Sequence, residues 1–271
     1  MKKNLYIHYG MVLLLLLVCL IFLGKTGSSH MSFSLEGQEL VTHQKRGYED
    51  LIDLINETDL YCSFFILNED KPEIKIIGSE RQEEREVLNN GDTIYLNAGE
   101  DSGITPGDLF IIYDISKDIP GFGPLAQKMG RARVMYVTAE KANAQIEKAC
   151  GDIRIGNYLS EFEEKEGFVG KNLGLDVPPY YTDSPVGEVI YLQTDFAQIG
   201  PGYWALIDLG RNRNLSLGQQ LIIFREVEKD APLKIIANVV VIDVQEETST
   251  IKILTARDSV IMGDKVQFRP E

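Results

Sequence analysis

Short hydrophobic segments separated by glycine-containing turns dominate the chain from residue 73 onward. The runs 109–113 ("LFIIY") and 221–224 ("LIIF") are continuously apolar, as in strands buried on both faces, whereas 144–149 and 250–256 alternate apolar with polar residues. Further strands are predicted at 73–78, 93–97, 133–137, 187–193, 203–208 and 239–244. Turn signals recur about every 8–12 residues, which predicts small closed or half-closed β-barrels.

The strand pattern occurs twice along the chain. Gly91, Gly99 and Gly107 are each followed 111 residues later by another glycine: Gly202, Gly210 and Gly218. In the later part of each copy the spacing is 107, as between Val137 and Val244. The first copy therefore has four extra residues within 116–129 ("SKDIPGFGPLAQKM"), which we interpret as a Gly/Pro loop. A spacing kept on both sides of one insertion indicates an internal duplication.

The glycines of the repeat predict its tight turns, because glycine adopts a positive φ without steric cost. In "ITPGD" (104–108) a Pro followed by Gly is typical of a type II turn. The predicted turn glycines are Gly99, Gly103, Gly107, Gly156, Gly210, Gly218 and Gly263.

Two segments lie outside the repeat. Residues 47–57 ("GYEDLIDLINE") have the spacing of a short amphipathic helix. Residues 163–185 begin acidic and end in Pro and Tyr, and are interpreted as a linker that packs through Tyr180 and Tyr181.

The predicted fold class is all-β with minor α. The predicted organisation is an N-terminal signal or anchor (1–29), a segment with a short helix (30–60), a first barrel (61–162), the linker (163–185) and a second barrel (186–271).

The N-terminus predicts export from the cytoplasm. Lys2 and Lys3 precede an apolar run from Met11 to Leu23, which suits the hydrophobic region of a signal peptide. Small residues at 27–29 offer a cleavage site, and an uncleaved membrane anchor is the alternative. Either segment places the remainder of the chain in the periplasm, free or tethered to the inner membrane.

The net charge of the chain disfavours one class of binding partner, the nucleic acids. Residues 1–29 contain three lysines and no acidic residue, so residues 30–271 carry 24 basic and 41 acidic residues, a net charge of −17. Such a surface repels phosphate backbones, which disfavours nucleic-acid binding.

Cys62 and Cys150 form an even pair in a chain predicted to be exported, which favours a disulfide over two buried thiols.

The tripeptide Asp101-Ser102-Gly103 matches the catalytic motif of aspartic proteases. The duplication aligns it with Asn212-Arg213-Asn214, so the second copy has no carboxylate for a shared-proton pair. We therefore interpret the tripeptide as part of a turn.

Other catalytic chemistry has little basis in the sequence. All three histidines precede residue 44, so neither barrel has one for a Ser-His-Asp arrangement or a zinc site. No cofactor, metal site or enzyme activity is predicted. Acidic residues are abundant, and a carboxylate-dependent glycosidase remains the weakest alternative.

The first copy resembles a known group of modules. "YLNAGEDSGITPGDLFIIY" with "MGRARVMYVTAEKANAQIEKACGDIRIGNYLSEFE" resembles β modules of uncharacterised bacterial envelope proteins, often found beside LysM peptidoglycan-binding domains. Its glycine turns are also similar to those of the C-terminal module of flagellar protein T of the basal-body H ring, and more weakly to the β domains of the rod-shape protein MreC. These resemblances imply a non-catalytic module resident in the envelope.

The sequence thus predicts an interaction scaffold for an envelope assembly or the cell wall. Its partners are envelope proteins or peptidoglycan, with basic partners favoured by the acidic surface and strand addition at an exposed sheet edge as one mode. The alternative is a glycan-binding module that uses Tyr203 and Trp204, although a core position for Trp204 is the simpler interpretation.

Overall fold

A computed structural model describes residues 51–269 apart from 82, 84–85, 180–182 and 230. The chain divides into two units, 1–46 and 47–271. The first unit, with the predicted signal or anchor and its cleavage site, lies outside the described residues, as do Tyr180 and Tyr181.

The described part of the chain is mostly β. Its strands are β1 (Leu51–Ile55), β2 (Phe64–Ile66), β3 (Ile74–Ser79), β4 (Thr93–Leu96), β5 (Leu109–Ile119), β6 (Gly123–Val137), β7 (Ala142–Ala149), β8 (Tyr158–Glu161), β9 (Phe168–Lys171), β10 (Val186–Leu192), β11 (Trp204–Ile207), β12 (Gln220–Arg225), β13 (Lys234–Val244), β14 (Ser249–Ala256) and β15 (Lys265–Phe268). One α-helix, α1 (Glu57–Cys62), lies between β1 and β2.

Two closed six-strand barrels follow one another along the chain, which confirms the predicted fold class. Barrel 1 has the order β3-β4-β7-β6-β5-β8, closed by the pairing of β3 with β8, and β2 adds to the outside of β6. Barrel 2 has the order β10-β11-β14-β13-β12-β15, closed by β10 with β15. Each encloses its own apolar core, centred on residues such as Ile94 and Ile146 in barrel 1 and Ile207 and Ile253 in barrel 2.

The two barrels share strand bounds as well as topology. Strand β4 plus 111 residues is β11, and β7 and β8 plus 107 residues are β14 and β15. The isolated bridge between Leu88 and Ile153 recurs between Ile199 and Val260 at the same two spacings. The internal duplication read from the glycine spacing is therefore a structural repeat.

The prediction of a helix over 47–57 is wrong for the residues of this segment that the structure describes, 51–57. Residues 51–55 form β1, which pairs antiparallel with β9, and the helix begins only at Glu57. Asn56 caps the helix, since its side chain accepts a hydrogen bond from the backbone N–H of Asp59. The pairing partner of β1 lies over 110 residues away in sequence, so local periodicity does not reveal it.

The predicted Gly/Pro loop at 116–129 is a β-hairpin extension instead. β5 and β6 continue through most of it, with only 120–122 left as the turn. The four extra residues thus lengthen the hairpin of barrel 1, and β2 pairs with the added part of β6.

Two of the predicted turn glycines have a different role. Gly103, Gly107, Gly156, Gly218 and Gly263 have positive φ. Gly99 and Gly210 have negative φ, at −144° and −134°, and a Cβ at Gly99 or Gly210 would lie 2.2 Å or 2.4 Å from the carbonyl oxygen of Thr138 or Glu246, respectively. Glycine is required at these two positions because the backbone of the β6–β7 or β13–β14 turn approaches closely, not because of φ.

The segment between the barrels is part of the folded body. β9 lies within it, and Leu175 and Val177 pack against Phe224 and its neighbours on the outside of barrel 2. The Arg269 guanidinium donates to the backbone carbonyls of Leu173 and Gly174, which ties the segment to the end of the chain.

Candidate functional site

A short segment lies between the two barrels and contacts both. We call residues 51–66, which comprise β1, α1 and β2, the wedge. Its buried side chains, including Leu60 and Phe64, form one apolar cluster with Ile111 of barrel 1 and with Trp204 and Val240 of barrel 2. Phe64 meets the ring of Tyr191 edge-on at 5.2 Å between centroids. The wedge therefore joins the barrels through a shared core.

Asp59 is the polar centre of the contact between the wedge and barrel 2. It is 3% exposed, and its carboxylate accepts hydrogen bonds from Trp204 Nε1 at 2.9 Å and Lys252 Nζ at 2.6 Å. It also accepts from the backbone N–H of Asn56, which completes a capping box at the start of α1. One carboxylate thus fixes the helix start and two strands of barrel 2.

Lys128 is the polar centre of the contact between the wedge and barrel 1. Its ammonium is buried and donates to the Leu60 carbonyl at 2.9 Å and to Oδ2 of Asp243, on barrel 2, at 3.2 Å. Burial lowers the pKa of Lys128, and the Asp243 carboxylate opposes that shift in part. A second buried ion pair therefore links the barrels directly.

A cleft of about 260 Å³ opens at this junction, with Lys128, Asp243 and Tyr113 in its lining. Burial raises the pKa of Tyr113, whose hydroxyl oxygen accepts a hydrogen bond from Ser160 at 3.3 Å. Perturbed titratable groups in a cleft are a mark of functional sites, but structural ion pairs produce the same shifts. Here the charged groups bond to one another and to the wedge, so their evident effect is to hold the barrels together.

The predicted disulfide is present. Cys62 ends α1 and bonds to Cys150, which follows β7 of barrel 1, with 5.5 Å between the Cα atoms. The bond clamps the C-terminal end of the wedge helix to barrel 1, while Asp59 holds the same helix to barrel 2.

The predicted glycan contact through Trp204 does not fit the structure. Its side chain is buried, its indole N–H is taken by Asp59, and its ring packs against Phe64 at 6.4 Å. A sugar therefore has no open ring face to stack on. Tyr203 differs: it is 43% exposed and packs edge-on against Phe196, which is 48% exposed.

The Asp101-Ser102-Gly103 tripeptide is a turn, as predicted. Glu100–Ser102 form a single 3₁₀ turn that Gly103 ends in the left-handed conformation. Barrel 2 repeats this geometry at Arg211–Arg213, with Asn214 as the left-handed residue. The carboxyl of Asp101 is exposed on the turn.

The sequence analysis did not identify several residues of the junction and of the surface. The pattern Asn56-x-x-Asp59 is a capping-box signal that marks the true helix start. Lys128 is the one cation in the mostly apolar run 123–130 ("GPLAQKMG"), which is a signal of a buried pair. Nothing in the sequence pattern places Phe196 beside Tyr203.

The described residues hold no group of three or more His, Cys, Asp or Glu side chains arranged to bind a metal ion. Among the same residues, no helix has the length and apolar character needed to cross a membrane.

Comparison with known proteins adds no family: no protein-family model and no curated protein sequence matches the chain significantly.

Proposed function

We propose that the protein is a non-catalytic scaffold of the cell envelope, in which the two barrels act as one rigid body and a partner protein binds to the β1–β9 ribbon. The observation that carries the proposal is an exposed apolar surface on a two-stranded sheet that belongs to neither barrel. The signal-like N-terminus and the resemblance to envelope modules support the location.

The contacts at the junction hold the two barrels rigidly together. The wedge is held by the disulfide on one side and by the Asp59 carboxylate on the other, and Lys128–Asp243 bridges the barrels beside it. Buried ion pairs contribute little net stability, but they penalise any arrangement that leaves a charge unpaired. The two barrels therefore keep one relative orientation, as a scaffold needs.

The docking surface is the ribbon of β1 and β9. Leu51 and Val169 are each 59% exposed, and Ile52 and Phe168 are 41% and 48% exposed. Among the described strands β1 pairs only with β9, so its other edge has no strand partner there. An exposed apolar edge of this kind favours strand addition by a partner.

The charge next to the ribbon indicates the partner's chemistry. Glu161 ends β8, and Glu163, Glu164 and Glu166 lie between β8 and β9; all four are exposed, with Lys165 as the one cation among them. An acidic flank beside an apolar edge complements an extended segment that carries apolar residues next to lysine or arginine. The proposed occupant is such a basic–apolar segment of an envelope protein.

Site-specific photo-cross-linking in the native cell tests the proposal. A photoreactive residue replaces Leu51 or Val169, and the control replaces Val227, an apolar residue of barrel 2 that is 65% exposed. We expect adducts from both ribbon positions with one partner, cross-linked within a basic–apolar segment, and none from Val227. Glu163→Lys with Glu164→Lys should reduce the adduct, because the acidic flank is reversed.

Two outcomes would contradict the scaffold. Adducts with a second copy of this chain would make the ribbon a dimer contact, and equal adducts from Val227 would show non-specific capture.

A further inference from the structure

An open groove on barrel 2 lies apart from both the ribbon and the junction cleft. It has a volume of about 480 Å³, which is within the range of small-ligand sites. Its lining includes two exposed aromatic rings and several polar side chains: Phe196, Gln198, Tyr203, Arg257, Asp258 and Ser259.

The aromatic pair supplies an apolar platform. The rings of Phe196 and Tyr203 lie 5.9 Å apart at 73°, and both are exposed. Exposed aromatic rings beside polar side chains suit ligands that have one apolar face and many hydroxyls, as pyranose rings do.

The backbone before Phe196 is held in an unusual conformation. Thr194 and Asp195 both have positive φ, at 53° and 58°, which is uncommon for residues with a Cβ. Lys117, from the extended hairpin of barrel 1, forms an ion pair with Asp195 and lies 4.7 Å over the Tyr191 ring. Such local strain persists where the surroundings over-determine it, and it often occurs at ligand sites.

The groove's lining has one cation, Arg257, and one carboxylate, Asp258. Arg257 is exposed, and its guanidinium has no hydrogen bond or ion pair with any residue that the structure describes. The one carboxylate of the lining, Asp258, is already bound by Lys234 and lies 3.9 Å from Arg225. A free guanidinium beside a neutralised carboxylate favours an anionic ligand, and it binds carboxylates with planar, paired hydrogen bonds.

We propose that this groove binds a saccharide that carries a carboxylate, with the sugar ring on Tyr203 and Phe196 and the carboxylate on Arg257. The glycan contact predicted from the sequence used Tyr203 and Trp204, whereas this groove uses Tyr203 and Phe196. It also requires a negative charge on the ligand. It is separate from the ribbon, so either site can exist without the other.

Two disaccharides that differ in one lactyl group, the group that carries the carboxylate, test the proposal by calorimetry or by NMR titration of the folded protein. The probe is N-acetylglucosaminyl-N-acetylmuramic acid, whose lactyl group carries a carboxylate, and its neutral counterpart is chitobiose. A galacturonic acid oligomer distinguishes wall muramic acid from a uronic acid source. We expect the neutral sugar to bind about tenfold more weakly than an acidic one, the loss of one charge-assisted contact.

Variants identify the residues responsible. Arg257→Gln should remove the preference for the acidic sugar and leave chitobiose binding unchanged. Tyr203→Ala and Phe196→Ala should weaken both sugars. Arg213→Gln is the matched control, because Arg213 is an exposed arginine of the same barrel outside the groove.

Three results would overturn the proposal. These are equal affinity of the wild type for acidic and neutral sugars, an equal effect of Arg213→Gln and Arg257→Gln, and binding of an acidic peptide in preference to all the sugars. Far-ultraviolet circular dichroism of each variant separates lost binding from lost folding.

Discussion

The indole Nε1 of Trp204 donates a hydrogen bond to Oδ1 of Asp59 at 2.9 Å, and this contact joins the wedge helix to barrel 2. The other carboxylate oxygen, Oδ2, accepts a hydrogen bond from Nζ of Lys252 on the neighbouring strand. Trp204 is the single tryptophan of the chain, so its fluorescence reports on the state of this junction.

Asp59→Asn should lower the free energy of unfolding by about 3 kcal/mol, because it leaves the largely buried Lys252 ammonium without its anion. Urea unfolding followed by Trp204 fluorescence measures the effect. Asp53→Asn is the control on the exposed part of β1 and should change stability by less than about 0.5 kcal/mol. A loss of the same size in both variants would contradict the role of Asp59.

Replacing both Cys62 and Cys150 by serine should lower the free energy of unfolding by about 4 kcal/mol. The bond closes an 88-residue separation, and the entropy of the unfolded chain rises when that closure is lost. Cys19→Ser, in the N-terminal region, should have no such effect. Dithiothreitol should destabilise the wild type but not the double variant, and sensitivity of both would argue against this bond as the cause.

Stability should rise with pH below the ordinary lysine pKa of 10.5 because of Lys128. Its pKa is lowered in the folded protein, so between the folded pKa and 10.5 the unfolded chain binds more protons than the folded one. Denaturation at intervals from about pH 7 to pH 9.5 measures this slope, below the window in which the raised pKa of Tyr113 acts in the opposite direction.

Lys128→Met should remove that slope, and Lys141→Met, at an exposed turn position, should retain it. An unchanged slope in Lys128→Met would assign the pH dependence to another group.

Gly99→Ala should destabilise far more than Gly103→Asn. A methyl group at Gly99 collides with the Thr138 carbonyl in the β6–β7 turn, so the two backbone segments must move apart, at a cost of about 2 kcal/mol or more. At Gly103 there is open space, and the equivalent residue of barrel 2 is Asn214 with φ of 63°, so asparagine should cost less than about 1 kcal/mol. Thermal unfolding of the two variants makes the comparison, and the reverse order would contradict the close-approach role of Gly99.

Much of the barrel architecture was predictable because its signals are local. Apolar runs such as 109–113 and 221–224 indicate strands, and the two constant glycine spacings identify the duplication. The Pro106-Gly107 turn was predictable for the same reason, since φ preference is a property of single residues. The disulfide was inferred from cysteine parity and compartment, not from geometry.

The errors have a common cause. Residues 51–55 have a helical spacing of apolar side chains, but pairing with β9 makes them a strand. The segment 116–129 has Gly and Pro residues at its centre, but pairing along β5, β6 and β2 extends most of it. In both, long-range hydrogen bonds override local propensity.

By itself the sequence determined the two barrels, their repeat and most of the glycines at their tight turns, because periodicity and backbone preference act over a few residues. Only the tertiary structure decided that Trp204 faces Asp59, that Lys128 meets Asp243, and that the exposed pair of Tyr203 and Phe196 lines the same groove as Arg257. These contacts depend on how the strands close into barrels and how the barrels meet. That arrangement sets which side chains lose water and which keep it, and no local pattern encodes it.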